Sequence, residues 1–226
     1  MLPSTFLQTR QAEKGNALFL ILIAVVLFAA LSFAITQSNR STGSSAGEET
    51  NTVSGSNVTQ YASAIRTGMT RMMVKGVILD EILFATPSDA GYTTTPSYQV
   101  FHPQGGAVVY MSPDSNMVNS GGGWHYFFAA VKDMGTSALD AVAVLTDVKR
   151  GICQQINRQV MGSTTVPALA TDITAISTIT GATYAIGSPV ANTFDFGTTP
   201  NKPYGCFTSG SGVTLKYNYM HVMAEQ

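Results

Sequence analysis

The sequence predicts an α+β protein. It has one long N-terminal helix whose first half spans a membrane and whose second half packs on an antiparallel sheet, then a second helix and a disulfide-closed C-terminal region. Three observations carry this. No residue between Lys14 and Arg40 is charged, and Ala17–Ile35 within that gap is hydrocarbon broken only by Ser32. Downstream, apolar residues recur at helical spacing, then in short β-type runs, then at helical spacing again. The two cysteines, Cys153 and Cys206, both follow the apolar run.

The apolar run comes first. As a helix rising about 1.5 Å per residue it covers about 29 Å, close to the thickness of a bilayer core. The leader before it, Met1–Gly15, holds Arg10, Lys14 and the acid Glu13. A basic leader stays cytoplasmic, so the rest of the chain is expected to cross. Two other readings share these features. Ser32-Phe33-Ala34 places small residues where a general secretory signal is cut, which would leave Ile35 as the new N-terminus. A permanent single-span anchor fits as well. Against a signal peptide, the run exceeds the usual apolar core of about 7–15 residues.

Composition suits an exported domain. Charged residues make up 11% of the chain, against about 25% in ordinary soluble domains. A net charge of −1 supplies no basic patch, so nucleic acid is not an expected partner. About 185 residues remain beyond the apolar segment, enough for one domain with a real core.

Four segments follow from this reading: a leader at 1–15, an apolar helix at 16–38, a polar linker or frayed helix at 39–57, and a globular α+β domain at 58–226. The linker is inferred from glycines at 43, 47 and 55 among Ser, Thr and Asn, which weaken a helix. From Val58, the residues Ala62, Ile65, Met69, Met72 and Gly76 recur at three- and four-residue steps, predicting an amphipathic helix to about Leu83. The methionines at 69, 72 and 73 read as core filler.

Pro87–Pro96 is turn-rich, and β-type runs follow at Tyr98–Phe101, Ala107–Met111 and His125–Val131. Ser137 as an N-cap with Asp140 after it, and Leu145, Val148, Ile152, Ile156 and Val160 on one face, predict a helix over 138–161. A weak strand signal lies at Thr183–Ile186. Tyr204–Thr208 and Val213–Val222 read as a hairpin around Ser209-Gly-Ser-Gly.

Cys153 and Cys206 have one intramolecular connectivity on the exported side, where disulfides persist. Closing that loop stabilises by roughly 4 kcal/mol in the chain-entropy model. The alternative is two separate buried thiols. Neither cysteine has a second Cys or a His at ligand spacing, so no metal is expected.

Catalytic signals are poor, and no enzyme activity or cofactor is expected. His102, His125 and His221 lie far apart with no fixed-spacing partner; three strand-associated histidines could converge as metal ligands, but a solvated or hydrogen-bonded structural role is the better reading. Asp80-Glu81 shows nothing of a tuned acid pair. Asp114-Ser-Asn116 offers oxygen ligands of the kind calcium takes but lacks the EF-hand pattern, so a plain turn is the better reading. Asn39-Arg-Ser41 and Asn57-Val-Thr59 match the glycosylation sequon.

One stretch matches a known pattern: Glu13-Lys14-Gly15-Asn16-Ala17-Leu18-Phe19-Leu20-Ile21-Leu22-Ile23-Ala24. A short hydrophilic leader, a glycine and then about 20 apolar residues resembles the type IV pilins and the pseudopilins of type II secretion. The resemblance covers roughly residues 10–40. It implies cleavage by a prepilin peptidase after Gly15, leaving Asn16 as the N-terminus. It also implies an assembly helix presenting Leu18, Leu20, Ile23, Leu27 and Leu31 to other copies or related subunits. The subunit would wait in membrane lipid, its domain outside the inner membrane, before joining a surface or periplasmic filament. This chain departs from the pattern at Leu20, where the family usually has Glu to meet a neighbour's N-terminal amine. Some tip-type pseudopilins lack it too, so the departure suits a minor or tip subunit as well as a main building block. The competing expectation is an anchored or secreted binding domain on the cell surface, with Gly121–Gly123 and residues 164–199 as its variable faces.

Overall fold

A computed structural model describes residues 16–136, 139–169, 187–195 and 202–225. The chain divides into two compact units, Met1–Gly47 and Glu48–Gln226. Helix α1 is Asn16–Val74. The strands are β1 (Trp124–Val131), β2 (Asp140–Leu145), β3 (Gly187–Phe194), β4 (Tyr204–Ser209) and β5 (Lys216–Ala224), with helix α2 (Arg150–Met161) after β2.

In the second unit α1 presents one apolar stripe. Val58, Ala62, Ile65, Met69 and Met72 are buried, as the spacing predicts, with Tyr61 beside them. The helix stops earlier than predicted. Gly76 is not part of the stripe but its terminator: it takes φ +94°, its N–H bonds to Met73 O, and the Val77 N–H reaches back to Met72 O. That is the Schellman arrangement, in which a left-handed residue satisfies the last carbonyls of a helix. Beyond it, Leu79–Glu81 forms only a single 3-10 turn.

The polar segment at 39–57 lies inside α1 by its backbone. Its small residues in the second unit serve packing. Ser54 is buried, and a Cβ at Gly55 would lie 3.2 Å from Ile156 Cγ1. Gly55 thus gives α2 a notch against α1, which composition alone had suggested was flexibility.

The sheet order is β3-β1-β2-β5-β4. The pairs β1/β2, β2/β5 and β4/β5 are antiparallel, whereas β3 runs parallel to β1. The sheet is therefore mixed. β2 and α2 lie between β1 and β3 in sequence, which supplies the long crossover a parallel pair needs. One face of the sheet brings Ala141, Ala143, Leu145, Tyr219 and Met223 against α1 and α2. The opposite face gathers Phe127, Val142, Val144, Phe207, Met220 and Val222.

The helix predicted from 138 begins at Arg150 instead. Asp140–Leu145 is a central strand, buried at every residue because its neighbours pair both edges and both faces are covered. Leu145 and Val148 matched a helical period by coincidence. Leu145 ends β2, and Val148 donates its N–H to Tyr217 O. Between them Asp147 takes φ 53°, a turn conformation that Asp tolerates better than most residues. Lys149, not Ser137, occupies the N-cap position. Residues 137 and 138 lie outside the described residues, as does the strand expected at Thr183–Ile186.

Two other predicted strands differ. Pro96–Tyr98 is a 3-10 turn, and Ala107–Met111 pairs with no strand among the described residues, although Val108 N–H reaches Val100 O. Gly105 and Gly106 press onto residues 96–100: a Cβ on Gly106 would lie 2.6 Å from Val100 O. That close backbone approach turns the chain out of any ladder. β1 begins one residue before its predicted start, and β5 begins at Lys216 because Gly212–Thr214 forms a 3-10 turn.

Candidate membrane and assembly segment

Leu18–Thr36 is a helical stretch long and apolar enough to cross a membrane, with mean hydropathy 3.1 and none of it buried. A signal sequence near an N-terminus has the same properties. Its large side chains are exposed around the whole circumference, among them Phe19, Leu22, Val25 and Phe28. A surface that apolar cannot stay bare in water. At the end of this stretch Thr36 Oγ1 donates to the backbone oxygen of Ser32 at 2.8 Å, so the Thr36 hydroxyl needs no external partner.

The five residues expected to form the assembly face are all exposed, from 38% at Ile23 to 73% at Leu18. At 3.6 residues per turn, Leu20, Ile23, Leu27 and Leu31 share one side, while Leu18 points away from them. Asn16 is the first residue of α1. Gly15 lies outside the described residues, so the cleavage junction as a whole is not described.

In the second unit the disulfide joins Cys153 of α2 to Cys206 of β4, with Cα atoms 5.3 Å apart. Both residues are fully buried. Sequence reasoning missed the group that frames this bond. Asn157 is also fully buried; its Oδ1 accepts the Cys206 N–H at 2.8 Å, and its Nδ2 donates to Cys206 O and Thr165 O. The available signal was an amide one helical turn after Cys153, on an otherwise apolar face.

The three histidines do not converge, and among the described residues no group of three metal-ligating side chains forms. His221 on β5 is buried, faces Tyr219 Oη at 2.8 Å through Nδ1, and stacks on Tyr204 of β4. Burial, with Arg66 nearby on α1 adding a smaller effect, holds its pKa down at about 4. His102 packs on Tyr92 and accepts the Gln104 N–H. His125 Nε2 lies 3.5 Å from Thr146 Oγ1.

Asp114 turns its carboxylate back onto the N–H groups of Asn116 and Met117, the local turn that short acidic side chains favour. Asp80 and Glu81 sit on the 3-10 turn after α1. Gly121, at φ +90°, lies in the turn before β1, while much of 164–199 falls outside the described residues.

The outer side of α1 is open between Arg66 and Val74. A cleft of about 410 Å³ there is lined by Arg66, Thr67, Thr70, Arg71 and Val74. A second groove of about 460 Å³ adjoins it beside Gly68 and Val108. Arg71 is steadied by one bond from Nη1 to Gly106 O at 2.8 Å.

No protein-family model matches the chain, and neither does any curated protein or solved structure compared with it.

Proposed function

We propose that this chain is a pilin-like subunit, held in a membrane and then built into a type IV pilus or a type II secretion-type filament at a minor or tip position. One observation supports the reading above the rest. The same helix, α1, carries an all-round apolar surface at Leu18–Thr36 and a one-sided core stripe from Val58 to Met72. A secreted domain needs only the second; a single-span anchored binding domain shares both, and the mature N-terminus separates it from the subunit. Lipid gives such helices no hydrophobic reason to associate, so packing shape has to supply it. Outside the bilayer the same surface regains about 25 cal/mol per Å² buried, which a bundle of helices recovers.

The mature N-terminus tests this. Asn16 supports the subunit, Ile35 a secreted domain, and Met1 a simple anchor. Gly15→Leu is expected to block leader removal and leave the protein in the membrane. Normal processing and unchanged filaments in cells making that variant would overturn the proposal.

A further inference from the structure

Beside α2 lies a further cleft of about 310 Å³, lined by Arg150, Gln154, Thr164, Thr165, Val166 and Tyr217. Arg150 and Gln154 are one turn apart on α2, so both reach the same side of the helix. The facing wall is held by the core. Thr165 O accepts a bond from the buried Asn157 amide at 3.1 Å, Val166 packs on the cluster around the disulfide, and Tyr217 O accepts the Val148 N–H. The side-chain polar groups of the lining residues are unused. Among the described residues, the Arg150 guanidinium, the Gln154 amide, the Thr164 and Thr165 hydroxyls and the Tyr217 phenol make no hydrogen bond or ion pair within the chain. Fixed walls and convergent unused polar groups are what a small polar ligand needs.

We propose that this cleft binds one sugar unit carrying a carboxylate, as in a hexuronic acid. The inventory of donors and acceptors selects the class. Hydroxyls, a phenol and a primary amide each donate and accept, which matches a ligand whose groups do both, as vicinal sugar hydroxyls do. A phosphate or a bare carboxylate only accepts, and would leave the Gln154 carbonyl and half of the hydroxyl capacity unmatched. Arg150 adds a planar fork of donors that suits a carboxylate, and no acid lines the cleft to neutralise it. Tyr217 and Val166 supply apolar surface for the C–H face of a pyranose. The volume is at the lower end of ligand cavities, which start at about 300 Å³, so it holds one ring and leaves the rest of a glycan in solvent. The site lies wholly within the second unit, so it stands whether or not the chain is a filament subunit.

Ligand-observed NMR on the full-length protein, in a detergent without a sugar headgroup, tests this. The probes are methyl β-glucuronide, methyl β-glucoside and acetate. One ring in a cleft of this size is expected to bind with a Kd on the order of 1 mM. The glucoside should bind about tenfold more weakly, the loss expected of one charge-assisted bond, and acetate should bind more weakly than either sugar. Arg150→Gln should bring the glucuronide down to the affinity of the glucoside. Gln154→Ala should weaken both sugars by about tenfold. Neither side chain belongs to the apolar core, so both variants should unfold with the wild type. Acetate binding as tightly as the glucuronide would reveal a plain anion site and overturn the proposal. Equal binding of the two sugars would overturn it as well. So would the failure of both to bind, or glucuronide binding that survives the two substitutions together.

Discussion

The side-chain amide of Asn157 pairs with both backbone groups of Cys206, at 2.8 Å to its N–H and 2.9 Å to its carbonyl. Those groups point away from β5, on the outer edge of β4. Two residues on, Thr208 finds its partners in Pro167 O and the Leu169 N–H. The edge is therefore covered by one side chain and one short segment, which denies it to another strand.

Asn157→Leu keeps the volume and removes the pairing. It leaves an N–H and a carbonyl unpaired beside a buried disulfide, where each orphaned group costs about 1–3 kcal/mol. The expected loss is about 2–4 kcal/mol in denaturant unfolding without reductant. A loss below about 0.5 kcal/mol, the size of a surface effect, would mean that water reaches Cys206 in place of the amide.

Ile152 is fully buried on α2, between Gly55 of α1 and the sheet. Ile152→Ala is expected to cost roughly 2–5 kcal/mol. Val160, half-buried on the next turns of the same face, should lose clearly less when shortened to Ala. Equal losses would show that α2 packs along its whole length, not chiefly through its first two turns.

How far the sequence carried the reading depended on what each residue signal can report. The stripe from Val58 to Met72 was legible because a half-buried helix writes its period into the chain. The disulfide was legible because two cysteines allow one pairing. The strand Asp140–Leu145 was not, because a centre strand buried on both faces loses its alternation and imitates a buried helix. Glycine was read with the wrong meaning twice. Gly55 marks a close helix contact and Gly76 a helix end, and only neighbours in space separate those roles. The apolar segment was plain, while Asn157 stayed hidden because a lone amide has no motif.

The stability of the second unit is expected to fall on mild acidification, with His221 as one cause. An unfolded imidazole takes up a proton near pH 6.5, but in the fold burial holds this one neutral down to about 4. The groups facing it are Arg66 from α1, Tyr204 from β4 and Tyr219 from its own strand. Above pH 6.5 neither state binds the proton and this source of stability is intact. Between 6.5 and about 4 the unfolded state binds it alone, which removes on the order of 3 kcal/mol. Unfolding of the wild type and His221→Gln, compared from pH 7.5 to 4.5, should show a steeper loss in the wild type. Parallel curves would exclude His221 as the sensor.

The last prediction concerns Leu20. It is 58% exposed within the apolar span, at the position where the pilins that this segment resembles usually carry a glutamate. A carboxylate there costs roughly 3 kcal/mol in a bilayer unless it finds a partner. If the leader is removed as proposed, a neighbouring copy offers its new N-terminal amine, and Leu20→Glu should move protein from the dispersed membrane pool into assembled material. With Gly15→Leu in the same chain no free amine forms near that depth, so the glutamate should lower membrane insertion and leave assembly no better than in Gly15→Leu alone. The measurement is the fraction of protein recovered in sheared or sedimented filaments from the two backgrounds. An identical response in both would show that the amine plays no part in how these helices meet.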